Sequence, residues 1–196
     1  MSGLVICTAL RVERRAVRRG LPSSARDVRV VRTGLGPRRA ARAAARLPEH
    51  AALAVTGFGG ALDLGLRPGD VLVATEVRFG ERVIRCASVR PIAERLTLAG
   101  LDPRTGPLFT SPRLVTGGER LRLAAAGVRA VDMETGPLAE VAIGRPFVAV
   151  RVIVDTPAMP LLRPGTVRRV RTARSRLRRV TPVLVAWAGT TAEAMS

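Results

Sequence analysis

Four carboxylates stand where an alternating α/β pattern would put chemistry. Glu13 follows the apolar run Leu4 to Leu10 by three residues, Asp132 and Glu134 bracket Met133 just before a helical stretch, and Asp155 closes the apolar run Phe147 to Val154. Open α/β sheets place their ligands beyond the carboxyl ends of the strands. Carboxyl groups in such places can move protons or stabilise developing positive charge. Taken singly, a Glu at a helix start equally suits the helix macrodipole. Two glycine-rich stretches, Gly34-Leu35-Gly36 and Gly57-Phe58-Gly59-Gly60, follow strand-like runs. Glycines there let backbone N–H groups approach a ligand, though either stretch also reads as a plain turn. Neither has dinucleotide-fingerprint or Walker spacing, and the chain contains no Lys.

The elements that must position these groups follow from periodicity. Leu4 to Leu10 is short, continuous and rich in β-branched residues, as a strand buried on both faces requires. A helix is expected from Glu13 to Arg19, a strand over Val28 to Arg32, and a helix from Arg38 to Leu47 begun by Pro37. Ala51 to Thr56 and Val71 to Val77 read as strands, with Gly57 to Ala61 a flexible loop between them. Residues 78–112, with Pro91, Pro103, Pro107 and Pro112, are expected to form an excursion or lid outside the core. Glu119 to Ala126 and Pro137 to Ala142 read as helices, Ala130 to Met133 as a short extended piece, and Phe147 to Val154 as a strand. Val167, Val170, Leu177, Val180, Leu184 and Trp187 define the apolar stripe of a C-terminal helix, which Pro182 should kink or restart.

Composition bounds the rest. The 196 residues, 47% hydrophobic, suffice for one domain spanning 1–196 with its own core. The net charge of +18 comes entirely from Arg, and Asn and Gln are missing along with Lys. That skew reads as coding bias more than as a polyanion-binding surface, and 3% aromatic content is thin for stacking on nucleic acid. Nucleic acid is therefore not expected as a partner. Cys7 and Cys86 stand far apart without a CxxC pair, which argues against a zinc site or disulfide framework and for two buried thiols. Neither a signal segment nor a membrane span is legible, so a cytoplasmic protein is expected. The sole histidine, His50, receives no role.

Six ordered segments carry a resemblance: Ala9-Leu10-Arg11-Val12-Glu13, Thr33-Gly34-Leu35-Gly36-Pro37, Thr56-Gly57-Phe58-Gly59-Gly60-Ala61-Leu62, Arg67-Pro68-Gly69-Asp70, Val131-Asp132-Met133-Glu134 and Arg151-Val152-Ile153-Val154-Asp155. Together they resemble the nucleoside phosphorylase and nucleosidase superfamily, especially the methylthioadenosine and S-adenosylhomocysteine nucleosidases. Within that superfamily the later part of the chain is most similar to the hopanoid-associated phosphorylases. The resemblance implies a three-layer αβα sandwich around a twisted, mostly parallel mixed sheet, and cleavage of an N-glycosidic bond. In it Glu13 would position the attacking water, Glu134 would bind the ribose hydroxyls above Met133, and Asp155 would protonate the departing purine at N7. Gly59, Gly60, Leu114, Val115 and Asp132 would line the rest of the pocket. Leu114 stands where the nucleosidases carry an aromatic residue, and Val154 where they carry Ser. The chemistry is coherent, because bond breaking places positive charge on the sugar and negative charge on the base.

No cofactor is implied, and phosphate enters only as a possible co-substrate. Val55 and Phe58 occupy positions where phosphorolytic relatives carry phosphate-binding Arg and Ser, so hydrolysis is favoured over phosphorolysis. Adenosylhopane is the expected substrate, with methylthioadenosine or S-adenosylhomocysteine cleavage or general purine nucleoside phosphorolysis as alternatives. A noncatalytic nucleoside- or nucleic-acid-binding module is the alternative from another class. A homodimer is expected. The basic stretch from Arg163 to Arg179 would either dock on an anionic membrane surface or be merely solvated.

Overall fold

The computed structural model of the chain describes residues 2–159 and 165–193. Residues 160–164, and with them Arg163 at the start of the basic stretch, lie outside the described residues. The elements run β1 (Ser2–Thr8), α1 (Arg11–Gly20), β2 (Val28–Arg32), α2 (Pro37–Ala44), β3 (His50–Ala61), β4 (Val71–Phe79), β5 (Arg82–Arg85), α3 (Val89–Leu98), β6 (Pro103–Thr110), α4 (Gly117–Ala125), β7 (Ala130–Asp132), α5 (Thr135–Val141), β8 (Phe147–Asp155) and α6 (Thr166–Glu193).

All eight strands belong to one mixed sheet in the order β2-β1-β3-β7-β6-β4-β5, with β8 pairing both β3 and β4. The pairings β3·β8, β8·β4, β4·β6, β6·β7 and β7·β3 close a ring, so the sheet curls on itself at its centre. β1, β2, β3 and β8 run parallel, and the antiparallel contacts are β3·β7, β4·β5 and β4·β8.

Strand alternation sorts the core into two layers. Leu4, Ile6, Ala54, Val148, Val150 and Val152 face α1, α3 and α6, while Val5, Cys7, Leu53, Val55, Ala149 and Ile153 face α2 and α5. The result is the expected αβα sandwich. β8 is buried at all nine positions, as a strand covered on both faces must be. Cys7 and Cys86 are both buried and free.

Three sequence expectations are corrected. The 78–112 segment is no lid: β5, α3 and β6 are built from it, with Ile92, Leu96, Leu101 and Leu108 in the core. Its prolines are placed where a missing N–H does no harm. Pro91 lies in the first turn of α3, and Pro107 falls opposite the irregularity between Ala74 and Val77 of β4. The Gly57 to Ala61 stretch is the second half of β3, paired with β8 and then with β7. Finally, α6 does not restart at Pro182 but continues through it. Pro182 leaves the Arg178 carbonyl without its helical donor, and α1 ends against that carbonyl at Gly20, whose Cβ would stand 2.3 Å from it. The apolar stripe of α6 holds at Leu177, Val180, Leu184 and Trp187, with Ala173 completing it, whereas Val167 is exposed.

Candidate active site

The ends of β1, β3, β7 and β8 meet at a cavity of about 300 Å³ lined by Glu13, Glu134 and Asp155. Every other pocket residue expected from the sequence lines it too: Gly59, Gly60, Leu114, Val115, Asp132 and Met133. Gly59, Gly60 and Asp132 sit on strand ends, Met133 lies just past β7, and Leu114 and Val115 belong to the β6–α4 connection.

Glu13 is held at the start of α1 by the backbone. Its Oε2 accepts from the N–H groups of Ala9 (3.0 Å) and Leu10 (2.7 Å), and its Oε1 accepts from Phe58 N–H at 2.8 Å. The side chain thus caps its own helix and ties it to β3. Burial pushes the Glu13 carboxyl above the usual range, against the opposing pull of Arg151 and these three donors.

Glu134 precedes α5, and its Oε1 accepts from Gly36 N–H at 2.8 Å. Gly36 has a φ of 93°, a conformation that glycine adopts without strain. Burial raises the Glu134 carboxyl to about 7; Asp132 and Glu13 push the same way, and Arg151 and the Gly36 N–H oppose them.

Asp132 lines the cavity but spends its oxygens inward. It accepts from Thr110 Oγ1 (2.7 Å), from the Thr135 N–H and hydroxyl, and from the guanidinium of Arg151. Its carboxylate is a brace beneath the cavity, and it supports Arg151 and the first turn of α5.

Arg151 opens the segment Arg151-Val152-Ile153-Val154-Asp155, and no role for it was expected. It is 1% exposed, at the middle of β8. Burial works against its charge, yet Asp132, Glu134 and Glu13 together hold the guanidinium protonated above its ordinary range. Nη2 donates to Thr135 Oγ1 at 2.6 Å, while Nε and Nη1 meet no acceptor among the described residues. A Cβ on Gly57 would stand 2.6 Å from Nη1 and 2.8 Å from Glu13 Oε1. Gly57 therefore keeps open the place where these two atoms converge. The available signal in the sequence was a lone charge within an otherwise apolar strand.

Asp155 occupies the opposite side. Its Oδ2 accepts from Arg120 Nη2 at 2.7 Å, and Arg120 Nε donates to the Ala61 carbonyl at 3.1 Å. Burial raises the Asp155 carboxyl, while the hydrogen bond and charge of Arg120 and the charge of Arg169 oppose it. Arg120 was not foreseen, and nothing distinguishes it in sequence from its arginine neighbours.

Chemically the two sides differ in the balance of charge. Three carboxylates surround one guanidinium at Glu13, Glu134, Asp132 and Arg151, an arrangement suited to positive charge developing nearby. At Asp155 one carboxylate meets one guanidinium.

These features define a class: an α/β fold whose cavity combines a carboxylate-rich wall with an acid and guanidinium pair opposite. The profile of the Phosphorylase superfamily matches residues 13–184, and the chain belongs to that family. It is 30% identical over 124 residues to the 5′-methylthioadenosine/S-adenosylhomocysteine nucleosidase of Actinobacillus succinogenes, which covers 51% of this chain and 54% of that protein. The chain thus spans about half the length of that curated relative. Among solved structures it is similar to a nucleosidase of the same type from Colwellia psychrerythraea 34H in complex with adenine, with a TM-score of 0.79 and 21% identity over 93% of this chain and 94% of that one. Futalosine hydrolase of Helicobacter pylori also gives a TM-score of 0.79, at 15% identity over 93% of this chain and 97% of that one. At these identities the likeness to solved structures is one of fold.

Proposed function

We propose that the chain hydrolyses the N-glycosidic bond of a 5′-modified adenosine and releases adenine. The observation that carries this reading is the convergence of Glu13, Glu134 and Asp155, distant in sequence, on one cavity. Glu13 and Arg151 hold the attacking water at the space kept open by Gly57. Glu134, ionised, accepts from the ribose hydroxyls, with Met133 beneath the sugar. The carboxylate wall stabilises the cationic sugar of the transition state, and Asp155 serves the departing base. Water is the better nucleophile here because the excess of carboxylates around Arg151 disfavours a phosphate dianion.

Adenosylhopane is the substrate proposed first, ahead of methylthioadenosine and S-adenosylhomocysteine. Its support is the similarity of the later part of the chain to the hopanoid-associated phosphorylases and the apolar cavity residues Leu10, Val12, Leu35 and Val170. The test is adenine release from these three nucleosides and from inosine, with and without phosphate. Release of adenine without phosphate supports hydrolysis, and a rate of zero without phosphate overturns it. Preference for methylthioadenosine would overturn the assignment of the 5′ group alone.

The same reading carries a homodimer, tested by light scattering, and a peripheral dock on anionic membrane through the arginines of α6. None of the helices in the described residues is long and apolar enough to cross a membrane. Co-sedimentation with anionic but not neutral vesicles at low salt would support the dock.

A further inference from the structure

Several arginines of this basic chain find partners: Arg78, Arg90, Arg113 and Arg129 pair with carboxylates, and Arg179 donates to the carbonyls of Ala99 and Gly100. Arg11, Arg14, Arg15, Arg18 and Arg32 do not. Their guanidinium groups meet no acid or other acceptor among the described residues, yet these five side chains alone line a second cavity, of about 380 Å³. Spacing creates the cluster, since residues 11, 14, 15 and 18 fall at i, i+3, i+4 and i+7 on one face of α1. Strand alternation brings Arg32 to the same side, because it continues the row of Val28 and Val30, which pack in the layer of Ala16 and Val17 from α1. Glu13, the only acid of α1, is turned to the other face, bonded to Phe58 N–H and lining the carboxylate cavity, which none of the five arginines lines.

Without a counter-ion this arrangement is unfavourable in three ways. Like charges at i, i+4 repel, and cations in the first turn oppose the helix macrodipole. Arg14 also buries its Nε without a partner, and a buried donor left unmade costs free energy. A multiply charged anion in the cavity reverses all three. Its size follows from the helix: Arg11 and Arg18 stand two turns apart, about 10 Å along the axis, which is longer than one phosphate group. Arg32 faces that row from β2, so the charge converges on a concavity instead of spreading over a plane. We propose that this cavity binds linked phosphates, the di- or triphosphate group of a soluble molecule, through charge-assisted hydrogen bonds from the α1 row and Arg32. The inference does not depend on the nucleosidase reading. Leu10 and Val12, which flank Arg11, line the carboxylate cavity, so an occupied site braces the same helix start that carries Glu13.

The probe is inorganic tripolyphosphate, titrated by calorimetry into the full chain at constant ionic strength. One saturable site is expected, at least about tenfold tighter than for orthophosphate, the scale of one further charge-assisted hydrogen bond. Arg15→Gln/Arg18→Gln should weaken binding by at least about tenfold on the same scale. Arg168→Gln/Arg171→Gln removes the same charge from exposed positions of α6, which carries more arginines than α1, and should leave affinity within about twofold, because distant exposed charges are screened. Equal weakening by the two double variants would reduce the cavity to the general field of a chain of net charge +18 and overturn the proposal. Equal affinity for orthophosphate would overturn it as well. Thermal melts separate binding from a structural role. Without ligand, Arg15→Gln/Arg18→Gln should melt no lower than the unaltered protein, since repulsion is relieved, and tripolyphosphate should raise the melting temperature of the unaltered protein and the α6 variant but not of the α1 variant. A ligand-free α1 variant that melts lower and is still stabilised by tripolyphosphate would make these arginines structural and sink the site. Vesicles containing phosphatidic acid that bind through Arg15 and Arg18, with tripolyphosphate not binding, would assign the cavity to a lipid surface and overturn the soluble ligand.

Discussion

The two walls of the cavity solve the problem of buried charge differently. On the sugar side, Arg151 is sealed in β8 and shared among Asp132, Glu134 and Glu13, with the hydroxyls of Thr110 and Thr135 and five backbone N–H groups, those of Ala9, Leu10, Gly36, Phe58 and Thr135, supplying the remaining hydrogen bonds described at those carboxylates. On the base side, Asp155 and Arg120 form one pair whose side chains are about one tenth exposed, anchored to one carbonyl, with the charge of Arg169 also acting on Asp155 and with Gly60, Leu114 and Val115 lining the same cavity. The network side has little freedom to adapt, since each group there is fixed by several others. The pair side can be altered one residue at a time. Fixed chemistry on one wall and adjustable recognition on the other is what the difference teaches.

The comparison breaks most readily at Arg151. Removing a guanidinium that neutralises buried carboxylates leaves them unpaired, so Arg151→Met should destabilise the protein by roughly 3–5 kcal/mol. Urea unfolding would measure it. The equivalent removal at Arg120 leaves one carboxylate near solvent and should be milder. Equal losses would show that the two walls are equally interlocked.

Glu13→Gln comes next. The carboxamide can still accept from Phe58 N–H but cannot take the proton of water, so kcat should fall by at least about 10²-fold, with the KM for substrate little changed. Single-turnover adenine release would resolve it from product release.

The titration of Glu134 sharpens the contrast. Its carboxyl, raised to about 7, must be ionised to accept from ribose hydroxyls. Accordingly kcat/KM should rise about tenfold per pH unit below pH 7 and level above it, and Glu134→Gln should displace the bend, leaving only the limb set by Glu13, whose carboxyl burial also raises. Stability should run the other way. The native state retains this proton between the ordinary Glu value and about pH 7 while the unfolded chain does not, so the contribution of Glu134 is present at low pH and is lost as pH rises through that window. Thermal melts from pH 5 to pH 8 would show the sign.

What was legible in the sequence tracks the same division. The positions of Glu13 and Asp155 followed from short apolar runs, because strands buried on both faces leave a compositional mark and their ends are where ligands bind, whereas Glu134 was singled out by its place just before a helix and by the resemblance. Arg151 left a trace as the one charge in its run, though periodicity alone does not say what a lone buried charge faces. Arg120 left none, since in a chain whose basic residues are all Arg its burial depends on how α4 lies over Gly60. The β5, α3 and β6 region was misread for a local reason. Prolines signal breaks, and here they occupy a first helical turn and a position opposite a bulge, which only strand pairing reveals. Gly57 to Ala61 read as a loop because glycine lacks strand propensity. In the fold those glycines are the places where Arg151, Glu13, Asp155 and Arg120 approach the backbone of β3.

The smallest expected effect lies on the adjustable wall. Leu114 lines the cavity yet is 60% exposed, so it contributes little of its area to the pocket. An aromatic ring there could stack on a purine, and such contacts are worth roughly 0.5–1.5 kcal/mol. Leu114→Phe should therefore lower KM about two- to tenfold and leave kcat unchanged, because stacking favours bound substrate and transition state alike. Steady-state kinetics at fixed pH would measure both constants. A change in kcat of similar size would mean that residue 114 reaches the reacting bond, and the separation between a recognising wall and a chemical wall would then fail at its edge.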